Sequence, residues 1–309
     1  MTGSHCASPP SYFSTTTALA AGGTVMIWGM SGVYFYFLAL VPPIDVLSHR
    51  IIWTLCVLAI VLWVRGRFGL VAELLRNRRT RLFLCFSGLA VSSNWGLYVW
   101  AVGNGQALEC SLAYFISPIL AVLLASVFLR EKLLLRARVA IAVLGAGVAF
   151  RIVSDGGISW TPLVIAVSFS IYMLLRKTVA VDSTAGLFIE TMLLFPFALL
   201  YTVYREVTGQ GFLSFETGGY IPVMLVLSGP LMTALPLVLL NVASGRMRLT
   251  TLGLIQYINP LVQMAAAVVI IGEPLTLTMV INFVFVWIGL LIYSSNFFSF
   301  RKHRKDASS

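Results

Sequence analysis

The sequence predicts an all-α integral membrane protein of ten transmembrane helices, arranged as two inverted-topology repeats of five. The composition is the first reason. Of 309 residues, 59% are hydrophobic and 10% charged, with a mean hydropathy of +0.94, whereas about a quarter of an ordinary soluble domain is charged. The second is that Lys and Arg alternate between connections, and the third is an internal repeat in which matching halves hold five spans each.

Residues 1–17, MTGSHCASPPSYFSTTT, contain no Lys or Arg and are rich in Ser, Thr and Pro. They read as a short disordered cytoplasmic tail, since a secretory signal opens on basic residues. Ten apolar runs follow at 18–40, 44–64, 82–103, 107–129, 137–153, 160–175, 186–204, 220–242, 249–271 and 275–297. About 17 or more apolar residues, rising about 1.5 Å each, cross the hydrocarbon layer. The connections are too short to hold a soluble domain, so the chemistry belongs in or beside the membrane. A basic cytoplasmic tail, 298–309, closes the chain.

Basic residues near span ends are retained on the cytoplasmic side. Alternate connections, together with the carboxyl tail, carry 18 of the 21 Lys and Arg; the opposite set holds Arg151 and Arg205, and Arg50 lies inside the second span. Both termini are therefore expected in the cytoplasm. The formal charge of +10 is a topology signal and calls for no nucleic-acid partner. Cys6, Cys56, Cys85 and Cys110 have no metal-like spacing and read as packing residues.

Sliding the chain by 142 positions lays ECSLAYFISPILAVLLASVFLREKL, from Glu109, on TLGLIQYINPLVQMAAAVVIIGEPL, from Thr251. Ser117-Pro118 then matches Asn259-Pro260, and Glu131 matches Glu273. The halves are 18–153 and 160–297. Because five is odd they face opposite ways, a recurring plan of secondary transporters with the solute site between the halves. Each proline also frees a backbone carbonyl that needs another partner.

Polar groups at bilayer depth are costly and usually face protein or water. His49 and Arg50 lie roughly 9 Å into the second span, and Glu109 opens the fourth from the same side, so Arg50 and Glu109 are expected to pair. Glu190 enters with the seventh span from the cytoplasmic side and is expected to face Arg246 or Arg248. One charge pair would then guard each entrance. Gln256, Asn259 and Gln263 fall on one stripe of the ninth span, where lipid cannot satisfy their amides. Asn94, Trp95 and Tyr98 in the third span and Tyr114 in the fourth add rings and amides, with Trp28, Ser31 and Tyr34 in the first. Such a mixture suits a small organic solute with apolar surface.

The segments SHRIIW, NWGLYVWAVGNGQALECSLAYFISP, LREKLLLRA, GLFIETMLLFP, GRMRLTTLGLIQYINP and the later GEP resemble, in that order, the RarD-like (chloramphenicol-sensitivity) branch of the EamA-type drug/metabolite transporters. The resemblance implies a ten-span inverted-repeat carrier of the bacterial inner membrane that moves small metabolites or drugs outward. The first span departs from many of that family in having no lysine after the Trp28-Gly29 step.

No G-x-x-x-x-G-K-[ST] loop is present, so no nucleotide cofactor is expected and energy comes from a gradient. His49, Glu109 and Glu190 are the groups placed to carry a proton. An enzyme is not expected, because His5, His49 and His303 cannot converge on a metal or base-assisted centre. A solute channel and a non-transporting membrane sensor are the alternatives; a channel would favour rings of like residues. Solute, direction, coupling ion and oligomeric state are not legible.

Overall fold

The computed structural model describes residues 15–157, 159–179, 181–213, 219–244, 247 and 249–306. The described chain is helical: α1 Thr15–Gly29, α2 Ser31–Tyr36, α3 Pro43–Val64, α4 Phe68–Arg76, α5 Arg78–Gly103, α6 Ala107–Phe128, α7 Leu135–Asp155, α8 Trp160–Val179, α9 Ser183–Val207, α10 Ile221–Gly229, α11 Leu235–Ser244, α12 Leu249–Gln256, α13 Ile258–Ala266 and α14 Leu277–Asp306. Eight helices or helix pairs are long and apolar enough to cross a membrane, and two shorter apolar helices, Ile258–Ile271 and Leu277–Tyr293, complete the ten. Leu40 and Trp63, 85% and 74% exposed, belong to an apolar exterior of the kind a lipid bilayer covers.

Local chemistry explains the ends. Pro43 stands in the first turn of α3, where a missing N–H costs nothing. Asn77 and Asp182 cap α5 and α9 by accepting from Thr80 N at 3.2 Å and Ala185 N at 2.9 Å. α7 ends at Gly156, whose φ of 69° is open to glycine at little cost. The first span divides into α1 and α2, the ninth into α12 and α13 near Pro260. α10 and α11 join through a widened π turn, Pro230–Ala234.

Several boundaries differ from expectation. The first helix begins at Thr15, inside the tail read as disordered, while residues 1–14 lie outside the described ones. The last helix runs on to Asp306, into the basic tail. The connection after α3 holds an additional short helix, α4, packed on α5 and α9.

Helix partners come in exchanged pairs. α6 packs on α8 as α13 packs on α1, and α5 packs on α8 as α11 packs on α1. α10 meets α3 as α5 meets α9, while α3 with α9, α6 with α13 and α7 with α14 are self-matching. Two five-span units related by a pseudo-two-fold axis have this pattern. The α3/α9 pair is antiparallel, since Asp45 at the start of α3 meets Arg205 near the end of α9, and Arg67 past the end of α3 meets Asp182 at the start of α9. Small residues permit the closest approaches. A Cβ on Gly29 of α1 would lie 2.5 Å from Val262 Cγ1 of α13.

Candidate functional site

Arg50 projects from α3 into the bundle and is 6% exposed. Its Nε donates to Thr233 Oγ1 at 2.8 Å. Thr233 lies in the π turn at Pro230, and such turns reset the register of side chains along a helix. The guanidinium lies 4.2 Å from the Trp95 ring centre and 5.3 Å from that of Phe35, the geometry of cation–π attraction. The Phe35 ring meets Tyr98 edge-on, and Tyr98 packs at a tilt on Tyr114.

The cluster continues by hydrogen bonds. Tyr114 donates to Asn94 Oδ1 at 3.0 Å, and Asn94 Nδ2 donates to Ile165 O at 3.0 Å and Ser168 Oγ at 3.1 Å. Ser31 Oγ lies 2.9 Å from the Tyr98 hydroxyl and donates to Trp28 O at 2.7 Å. Gln263 Nε2 donates to the same carbonyl at 3.3 Å and to Asn259 Oδ1 at 3.2 Å. Tyr34 bonds Met224 O. Trp28 Nε1 donates to Met232 O at 3.1 Å, a carbonyl that Pro236, four residues on and without an N–H, leaves free. Rings and amides from α1, α2, α3, α5, α6, the π turn and α13 thus form one connected group.

Of the sequence-predicted residues, Arg50, Asn94, Trp95, Tyr98, Tyr114, Asn259 and Gln263 come together here. Gln256 is half-buried, and its Nε2 has no hydrogen-bond partner among the described residues. His49 is buried but adjoins Arg50 only in sequence, and successive helical residues face apart; the charges acting on it are Glu206 and Asp45.

The expected Arg50–Glu109 pair is not made. Arg151 of α7 instead takes Glu109 with two nitrogens, Nη1 standing 2.7 Å from Oε2, and bonds Asp155 at 3.0 Å. Glu109 opens α6 beside the end of α7, whereas Arg50 is turned inward to the rings. Arg246 and Arg248, the expected partners of Glu190 in the other gate, lie outside the described residues. Glu190 is buried, accepts from Ser87 Oγ at 2.5 Å and lies 3.5 Å from Arg176 Nη1. Arg176 reaches it by lying against Gly186, where any Cβ would collide with the guanidinium.

Two ends of the bundle carry different ties. At the Asp45 end, Asp45–Arg205 has side chains 4% and 18% exposed, and Glu109–Arg151 8% and 11%. Glu273, just beyond the ninth span, accepts from Ala107 N and Leu108 N at 2.6 and 2.8 Å, satisfying free donors of α6. At the Arg67 end, Arg67–Asp182 and Lys177–Glu131 have side chains 31–55% exposed, while Arg176–Glu190, deeper between the helices, is 14% and 1% exposed. Glu131, the repeat equivalent of Glu273, thus faces a lysine. Sequence reasoning missed Thr233, Arg151, Arg176 and the capping role of Glu273; only the Glu131/Glu273 match hinted at the last. Among the described residues no group of three His, Cys, Asp or Glu could hold a metal, and Cys56, Cys85 and Cys110 are unbonded.

Such a helical bundle, with a polar and aromatic interior and a lipid-facing exterior, is a multi-pass membrane protein. The chain belongs to the EamA-like transporter family, in its RarD-like branch: the family profile matches residues 15–153, and relatives match along most of both chains. It is 34% identical over 276 residues to an uncharacterized transporter of Vibrio cholerae, covering 89% of this chain and 91% of the relative. It is 33% identical over 280 residues to protein RarD of Salmonella typhi, covering 89% and 93%. A solved crystal structure shares the fold with a TM-score of 0.56 at 18% identity, covering 90% of this chain and 96% of that one.

Proposed function

We propose that the chain is a secondary carrier that exports small organic solutes across the bacterial inner membrane by alternating access, with the group around Arg50 as its solute site. The observation that supports this most is the inequality of the two ends: the ties at the Asp45 end are buried, whereas at the Arg67 end two ties are exposed and only Arg176–Glu190, deeper between the helices, is buried. In related but oppositely directed halves, the same contacts can form at either end in turn. In the alternate state Glu131 takes the free amides that begin α12, as Glu273 takes those of α6 here. By the distribution of basic residues the Asp45 end faces outward and both termini lie in the cytoplasm.

Names of the relatives agree with transport, and the aromatic and amide site suits an organic solute. Glu190, whose Oε2 has no partner among the described residues, is the group best placed to couple a proton, and a pH gradient is then expected to drive solute uphill. The test is flux of a labelled metabolite panel through the purified protein in liposomes. Saturable flux with counterflow is expected; unsaturable flux with ionic current would mean a channel. Flux that neither responds to nor dissipates a pH gradient removes the proton.

A further inference from the structure

We propose that Arg50 is the recognition point for an anionic group, so that the cargo is an organic anion whose carboxylate or similar headgroup supplies the charge Arg50 lacks. This rests on the carrier reading and narrows it to a solute class. The buried and half-buried arginines of the spans give the contrast. Arg151 has Glu109 and Asp155, Arg176 has Glu190, and Arg205 has Asp45. Arg50, more buried than any of these, has no carboxylate within ion-pair distance among the described residues, and its only hydrogen bond there runs from Nε to Thr233.

What surrounds it is arranged to accept a ligand charge without supplying one. The titratable groups close enough to act on the guanidinium are Tyr34, Tyr98 and Tyr114, neutral hydroxyls whose protons are already engaged by Met224 O, Ser31 and Asn94, so that none supplies a negative charge. Trp95 and Phe35 offer ring faces, which hold the cation without neutralising it and leave its terminal nitrogens in the planar fork that matches a carboxylate. Tyr34 and Tyr114 are only partly buried. A cation out of water with no counter-charge is strongly disfavoured unless something else provides one. The same rings then form a shelf for the apolar body of the solute.

The probes are two pairs of equal shape, indole-3-acetate with indole-3-acetamide and benzoate with benzamide. Equilibrium binding is measured on the purified full chain in phosphatidylcholine nanodiscs. The acids are expected to bind at least about tenfold tighter than the amides, as a charge-assisted bidentate contact implies. Arg50→Gln is expected to abolish that preference, and Arg50→Lys to keep part of it. Equal binding of acid and amide, absence of binding by both acids, or a preference that survives Arg50→Gln overturns the proposal.

Thr233→Glu provides a test independent of any probe. The new carboxylate beside Arg50 is expected to raise the melting temperature in the wild-type background and lower it in Arg50→Gln; a fall in both overturns the missing counter-charge. Phosphatidylglycerol in the nanodisc is expected to leave acid binding unchanged; if it abolishes binding, the anion is a lipid headgroup and the solute assignment falls. Flux of neutral solutes that ignores Arg50 overturns the anion class and leaves the carrier standing. Arg50-dependent binding without flux does the reverse.

Discussion

Arg151 of α7 grips the Glu109 carboxylate at the first turn of α6 from two nitrogens, with Nη1 2.7 Å from Oε2. Removing Glu109 leaves the buried Arg151 only the more exposed Asp155, at a cost of about 3 kcal/mol, the lower part of the range for a broken buried pair. Glu109→Gln is expected to lower the melting temperature, and the exchanged double variant Glu109→Arg with Arg151→Glu to recover part of the loss, since the moved carboxylate then stands one turn from Asp155. An exchange of Glu109 with Arg50 is expected to recover none. Thermal unfolding in nanodiscs checks all three.

The two ties between α3 and α9 differ in worth although their partners are equivalent. Asp45→Asn breaks the buried tie to Arg205 and is expected to cost about 3 kcal/mol. Asp182→Asn breaks the exposed tie to Arg67 while preserving the side-chain oxygen that caps α9, and is expected to cost at most about 1 kcal/mol. Similar losses in a denaturant series would contradict the inequality of the two ends.

Glu273 closes the start of α6 by accepting from Ala107 N and Leu108 N. Its replacement by Ala is expected to cost about 1–2 kcal/mol, in line with other lost caps and dipole contacts. Hydrogen exchange at the 107–110 amides should quicken selectively. With a cysteine probe on the Asp45 end, Glu273→Ala is also expected to increase labelling by an impermeant thiol reagent, and Glu131→Ala to leave it unchanged or reduce it.

Gly229 of α10 rests directly on the backbone of α3. A Cβ there would lie 2.7 Å from the Trp53 carbonyl carbon and 2.9 Å from Arg50 O, and backbone cannot yield as a flexible side chain would. Gly229→Ala is expected to cost about 1–3 kcal/mol through overpacking and to disturb the proposed solute site, since the shifted turn leads on to Thr233. A folded variant, seen as a monodisperse peak after extraction, with unchanged solute binding would contradict that coupling.

Much of this protein was decided by local sequence. Apolar runs must become helices in lipid because each helix satisfies its own backbone, so spans were legible without knowing their neighbours. The matched Ser117-Pro118 and Asn259-Pro260 steps carried the repeat. Arg50, Asn94, Trp95, Tyr98 and Tyr114 stood out because polar groups at depth need an inward reason. Their partners were not legible. Whether Glu109 meets Arg50 or Arg151 depends on which helix faces meet across the bundle, and Ser87 reaches Glu190 across 103 positions of chain. Thr233, the partner of Arg50, stands in the π turn at Pro230, an irregularity that hydropathy does not reveal. Hydropathy records whether a side chain avoids lipid, but pairing is a property of two surfaces, and only packing brings two surfaces together.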